Sequence, residues 1–130
     1  MFSDAWGKKL QLWKKKPEAH DYPAARDYLS LVLDKKSAAA LVARMRVAPL
    51  FEHRAKDILR ASGLPLLPRD NPHVTRDLKK VRKGETLSPV LLVRGDLKRG
   101  IPLTIADGYH RICASWYIDE NVLIPCRMAV

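Results

Sequence analysis

The chain has 130 residues, with 24 Lys plus Arg against 14 Asp plus Glu, and a formal net charge of +10 with His neutral. A chain of roughly 100 to 200 residues is expected to form one domain. Its 47% apolar residues and only 6 Gly exclude both a disordered polyelectrolyte and a glycine-rich fibre. No apolar run approaches the roughly 20 residues of a membrane span, since the longest, residues 37–42 and 89–93, are bounded by charge.

Near the N-terminus, Lys8, Lys9, Lys14, Lys15 and Lys16 follow the few apolar residues, the reverse of a secretory signal, so a cytoplasmic protein is expected. Thiols stay reduced there, and Cys113 and Cys126 lack the short paired spacing of a zinc or redox motif. The positive excess runs through both halves of the chain and attracts polyanions in general without naming one.

In chain order, residues 1–22 read as a basic aromatic arm that docks through Trp6 and Trp13. Residues 23–130 read as a single α+β domain whose first part, 23–70, is helical. Two short helices are expected over residues 23–46, with Tyr28, Leu29, Val32 and Leu33 on the first and Ser37 capping the second. A third is expected from Phe51 through Ser62, because Phe51, Ala55, Ile58 and Leu59 recur at helical spacing and Gly63 and Pro65 end it.

A fourth helix starts at Asp70-Asn71-Pro72, a capping residue before proline, and runs to Lys83-Gly84 with Val74, Leu78 and Val81 inward. After Gly84 the pattern changes. Val90–Val93 and residues 103–106 read as paired strands, 109–119 as a helix, and 124–128 as a closing strand begun at Pro125.

Two features carry chemistry. Asp107-Gly108-Tyr109-His110-Arg111 lies where a strand meets a helix, and a helix start presents unpaired N–H groups and partial positive charge to an anion. Gly108 would let a ligand approach the backbone, and His110 and Arg111 would add donors. The same residues also fit a plain turn capped by Asp107, and Tyr109 fits either a base-stacking or a buried role. On the fourth helix His73, Arg76 and Lys80 form one stripe beside the apolar face, while Lys79, Arg82 and Lys83 point toward solvent. His20 and His53 read as structural or solvated.

With these motifs in place, residues 73–130 resemble the ParB/sulfiredoxin-like superfamily. The resemblance rests on Ser88-Pro89-Val90-Leu91-Leu92-Val93, then Thr104-Ile105-Ala106-Asp107-Gly108-Tyr109-His110-Arg111, then Leu123-Ile124-Pro125-Cys126, in that order. It makes 71–130 the ParB/sulfiredoxin-like part and implies a small mixed sheet that binds a nucleotide (ATP, ADP or CTP with Mg²⁺) or another phosphorylated ligand. The implied contacts are Gly108, Tyr109, His110 and Arg111, with Arg76, Lys80 and His73 from the preceding basic helix.

Sulfiredoxins carry their catalytic cysteine where this chain has Tyr109, so that chemistry is not expected, and Cys113 one turn on is a poor substitute. Chromosome-partition relatives add a helix-turn-helix for which the residues after the turn leave no room. The Asp107-Gly108-Tyr109-His110-Arg111 turn looks closer to a branch that phosphorylates free serine, whose separate glutamate would here be Glu52 or Glu85. Under this resemblance any enzyme would be a nucleotide-dependent phosphotransferase or hydrolase, with Asp107 as the catalytic candidate holding Mg²⁺ or the attacking hydroxyl. The alternative is a non-enzymatic DNA- or RNA-binding module using Lys14, Lys15, Lys16, Lys79, Arg82 and Lys83. A partner-binding protein that kept the fold and lost the ligand is the third reading.

Overall fold

The computed structural model describes residues 13–130. Among these, α1 (Asp21–Leu29) and α2 (Lys35–Val47) precede β1 (Leu50–Arg54), α3 (Ala55–Ser62) and α4 (Pro72–Arg82). There follow β2 (Val90–Val93), β3 (Thr104–Asp107), α5 (Tyr109–Ile118) and β4 (Leu123–Ala129). The strands form one mixed sheet in the order β1-β4-β2-β3, with β4 antiparallel to β1 and parallel to β2, and β3 antiparallel to β2. This is an α+β fold. No helix among the described residues is long and apolar enough to cross a membrane.

At β2 the sheet is buried on both faces, which explains why that strand reads as an unbroken apolar run and not as an alternation. Val90 and Leu92 face a core shared with α3, α4 and α5, where Ile58, Val74, Leu78 and Ile112 pack. Leu91 faces a second core built by α1 and α2 from Ala25, Leu29, Val42 and Met45. Each fully buried Leu or Ile contributes about 1.5–3 kcal/mol, so β2 with its neighbours on both faces is the centre of stability.

The caps of α4 and α3 follow the sequence. Asn71 accepts hydrogen bonds from the N–H groups of His73 at 3.0 Å and Val74 at 3.3 Å, and Gly63 closes α3 in the left-handed conformation. Four expectations need correction. The first two helices are separate, but α1 starts at Asp21 and stops at Leu29, leaving Val32 and Leu33 exposed. The cap of α2 is Asp34, which accepts from the N–H of Ser37 at 2.7 Å; Ser37 is the third helical residue.

Residues 50–54 are strand, not helix: they pair with β4 from Leu50↔Arg127 to Arg54↔Leu123, and Phe51 is 61% exposed. The helical spacing there was carried by Ala55, Ile58 and Leu59 alone, and backbone pairing with β4 decides the preceding residues. Lastly, β4 begins at Leu123 and lies inside the sheet. Pro125, which has no N–H to donate, is accommodated because the β2 ladder starts at the next residue, Val90↔Cys126.

Trp6, Lys8 and Lys9 lie outside the described residues. Of the rest of the arm, Trp13 bridges Leu87 and packs against the first core, and the N–H of Lys14 donates to the Leu87 carbonyl at 2.8 Å. Residues 13–20 thereby run alongside the segment joining α4 to β2.

Candidate functional site

Helical geometry places Arg76, Asp77 and Lys80 on the flank of α4, beside the inward Val74 and Leu78. Opposite them, β3 ends at Asp107 and Gly108 turns the chain into α5 with φ of 107°. The reason for glycine is internal packing: a Cβ at 108 would lie 2.5 Å from Val90 Cγ1 and 2.9 Å from an Arg111 guanidinium nitrogen. The expected role of admitting a ligand to the backbone is therefore not needed to explain this residue. No side chain caps α5, and its first backbone bond runs from Ile112 N–H to the Gly108 carbonyl at 3.0 Å. The N–H groups of Tyr109, His110 and Arg111 thus have no intrahelical acceptor.

These two elements enclose a hollow of about 270 Å³. Arg76, Asp77 and Lys80 form one wall, Asp107, Gly108, His110 and Arg111 another, and Lys14, Glu18, His20 and Asp21 the third, with Thr86, Leu87 and Ser88 between. Five of the seven expected ligand contacts, Arg76, Lys80, Gly108, His110 and Arg111, therefore meet at one place with the catalytic candidate Asp107. Tyr109 does not: its hydroxyl donates to the Pro65 carbonyl and its ring packs against the first core. His73 is absent from the lining but stacks its ring on His110 with centroids 4.6 Å apart.

Arg111 is not a free fork. One guanidinium nitrogen donates to Asp107 at 3.0 Å and to the Pro89 carbonyl at 3.2 Å, and the other lies 4.0 Å from Asp21. Its Nε is buried with no hydrogen-bond partner. Asp107 is correspondingly occupied by Arg111, so its carboxylate is not a free base or metal ligand. Burial pushes Asp107 up from the ordinary carboxylate value against the pull of Arg111, and the adjoining Asp21 carboxyl adds to the rise.

Of the hollow's cations, Arg76 and Lys80 form no ion pair among the described residues, although both face the Asp77 carboxyl. Lys14 is shared between Thr86 Oγ1 at 3.0 Å and Glu18 at 3.4 Å. Burial holds His110 below the usual histidine value, and the neighbouring His73 works in the same direction. Its imidazole is therefore predominantly neutral near pH 7.

Sequence reasoning missed Asp77 and the Glu18-His20-Asp21 wall. The signal for Asp77 was present: it sits among Val74 and Leu78 on the inward side of α4, where a charge is out of place, and it is only 4% exposed. Asp21 carried no such signal, because the arm's docking is a tertiary event. His20, expected to be structural or solvated, lies at the hollow's rim, 3.2 Å from Glu18 and 3.4 Å from Asp21. Glu52 sits on the exposed edge strand and Glu85 in the link after α4, in a shallow cleft beside the hollow.

The residues of the nucleic-acid alternative are dispersed. Lys79 and Arg82 border a different groove with Arg69 and Leu78, Lys83 follows the end of α4, and Lys16 borders a third cleft with Arg46 and Arg127. Lys15 is exposed. Both cysteines are buried, and burial pushes the Cys126 thiol to about 12 and raises Cys113 as well, so neither is a ready nucleophile. Among the described residues no group of three or more His, Cys, Asp or Glu side chains could hold a metal ion. In comparisons with known proteins the chain matches no family model, no curated protein and no solved structure, so nothing there links it to the ParB/sulfiredoxin-like superfamily.

Proposed function

We propose that the hollow between α4 and α5 binds the phosphate group of a small phosphorylated ligand, in the manner the ParB/sulfiredoxin-like resemblance implies. One observation carries this reading: the uncapped start of the ten-residue α5 opens onto the same hollow as Arg76 and Lys80, two cations without ion-pair partners. Orphan N–H donors and cations free of ion pairs around one cavity are the elements of an oxyanion seat.

The size narrows the ligand. Sites that enclose a drug-sized molecule span about 300–1,000 Å³, so a hollow of about 270 Å³ takes a phosphate with a few attached atoms. A nucleotide would insert its phosphate end and leave its base outside, a role in which the inward-packed Tyr109 takes no part. The donor set does not suit a resident Mg²⁺: Asp107 is tied to Arg111, and Asp77 is faced by Arg111, Arg76, Lys80 and His110. Binding as proposed uses the chain's own cations.

Calorimetric titration of ATP, ADP, CTP and inorganic phosphate tests the reading on the wild type and on Arg76→Ala/Lys80→Ala. Each lost charge-assisted hydrogen bond costs about 1.5 kcal/mol, so the double variant is expected to bind about 150-fold more weakly. Absence of saturable binding in the wild type, or equal binding in the double variant, refutes it. Nucleic-acid binding that falls steeply with salt and ignores the double variant would favour the alternative module.

A further inference from the structure

Asp77 is the one acid of the hollow that has neither a hydrogen bond nor an ion pair among the described residues. It is 4% exposed and lines the cavity, yet among the described residues no group donates a hydrogen bond to it and no ion pair includes it. Asp21, equally buried, accepts from the Glu18 N–H at 2.9 Å and approaches His20 and Arg111. Asp107 has Arg111. The Asp77 carboxylate opens onto the hollow, so its hydrogen bonding is left for water or a ligand there to complete.

We propose that Asp77 accepts a hydrogen bond from a hydroxyl group of the bound ligand, which makes that ligand a phosphorylated alcohol or sugar with a free hydroxyl near its phosphate. The inference rests on the phosphate reading above. Arg76 and Lys80 flank Asp77 on its own helix, at one residue before and three after, so an anion held by them brings its neighbouring atoms to the Asp77 carboxyl.

The charges select hydroxyl over ammonium. Asp77 is faced by Arg76 and Lys80 from α4 and by Arg111 and His110 from α5. A ligand ammonium at Asp77 would lie beside Arg76 and Lys80, which form no ion pair among the described residues, whereas a neutral hydroxyl supplies a donor without that repulsion. Burial raises Asp77 above the ordinary carboxylate value, which also favours a neutral partner over an ion pair.

The test measures dissociation constants for inorganic phosphate, propyl phosphate and glycerol 3-phosphate, the last two differing only in hydroxyl groups on a three-carbon chain. The wild type is expected to prefer glycerol 3-phosphate over propyl phosphate by about tenfold. Asp77→Ala should erase that preference, and Asp77→Asn, which keeps the shape, should cut it to about threefold. Affinity for inorganic phosphate should hold or improve in both. Asp77→Asn should also melt no lower than wild type at neutral pH, because the desolvation of the Asp77 charge outweighs the attraction of Arg111, Arg76 and Lys80.

Binding of phosphate and propyl phosphate without hydroxyl preference overturns the role of Asp77 and leaves the phosphate seat standing. A preference that survives Asp77→Ala overturns it too, as does a lower melting temperature for Asp77→Asn, which would make the carboxyl part of the scaffold. Failure of all three probes to bind sinks the phosphate seat and this inference together.

Discussion

The carboxylate of Asp107 and the guanidinium of Arg111 meet at 3.0 Å, one helical turn apart, with Asp21 on the other side of the guanidinium at 4.0 Å. This bridge joins the end of β3, the start of α5 and the start of α1. It holds together the walls of the hollow, so its two acids and one base are scaffold for the site more than contacts for a ligand.

Arg111→Ala should therefore cost more than loss of either acid, since it leaves Asp21 and Asp107 side by side with no cation. Breaking a buried pair costs about 3–5 kcal/mol, and urea denaturation at pH 7 should show a loss near the middle of that range. Asp107→Asn leaves Arg111 with Asp21 and Pro89 and should cost about 2 kcal/mol. The sign with pH follows from the raised Asp107. A carboxyl whose folded value exceeds its unfolded one lowers stability at neutral pH and stops doing so as pH falls toward the unfolded value. The Arg111→Ala deficit should accordingly shrink between pH 7 and about pH 4.5, and an unchanged deficit would contradict the pairing.

Gly108 and Gly63 separate two reasons for glycine. Both have positive φ, 107° and 70°, but a Cβ at 63 meets nothing within 4 Å while one at 108 overlaps Val90. Gly63→Ala should cost about 1 kcal/mol from backbone strain alone. Gly108→Ala should cost about 3 kcal/mol, strain plus overpacking. Equal costs in thermal melts would show that Val90 yields freely.

His110 gives ligand binding at the site a pH dependence of its own. Sulfate does not titrate between pH 5 and 8, so its affinity reports the protein's groups. Because burial and His73 hold His110 below the ordinary histidine value of 6.5, sulfate binding should stay flat down to about that pH and then strengthen by about fivefold toward pH 5. Asp77, Arg76 and Arg111 also face this ring, and uptake of a proton by Asp77 would act in the same direction. His110→Gln should remove most of the rise and Asp77→Asn should leave most of it; the reverse pattern would assign the dependence to Asp77.

The two helices that build the hollow were legible residue by residue. Asn71-Pro72 announced α4, and Gly108 after the short run ending in Ala106 marked the start of α5. The convergence of Arg76 and Lys80 with the Gly108 turn is a matter of tertiary packing that no local pattern in either helix specifies. Phe51 shows the opposite case: its spacing suits a helix, and it became edge strand because β4, far along the chain, offered backbone partners.

Taken alone, the amino-acid order determined the local rules of this protein: where helices start and stop, which short runs are buried on both sides, and that it carries a large positive excess. Those are set within a few residues by sterics, capping and periodicity. Tertiary structure decided which charges cancel. Asp21 reached Arg111, Asp107 was neutralised, and Asp77 was left buried without a donor, because pairing of charges depends on distances between elements that no local pattern encodes.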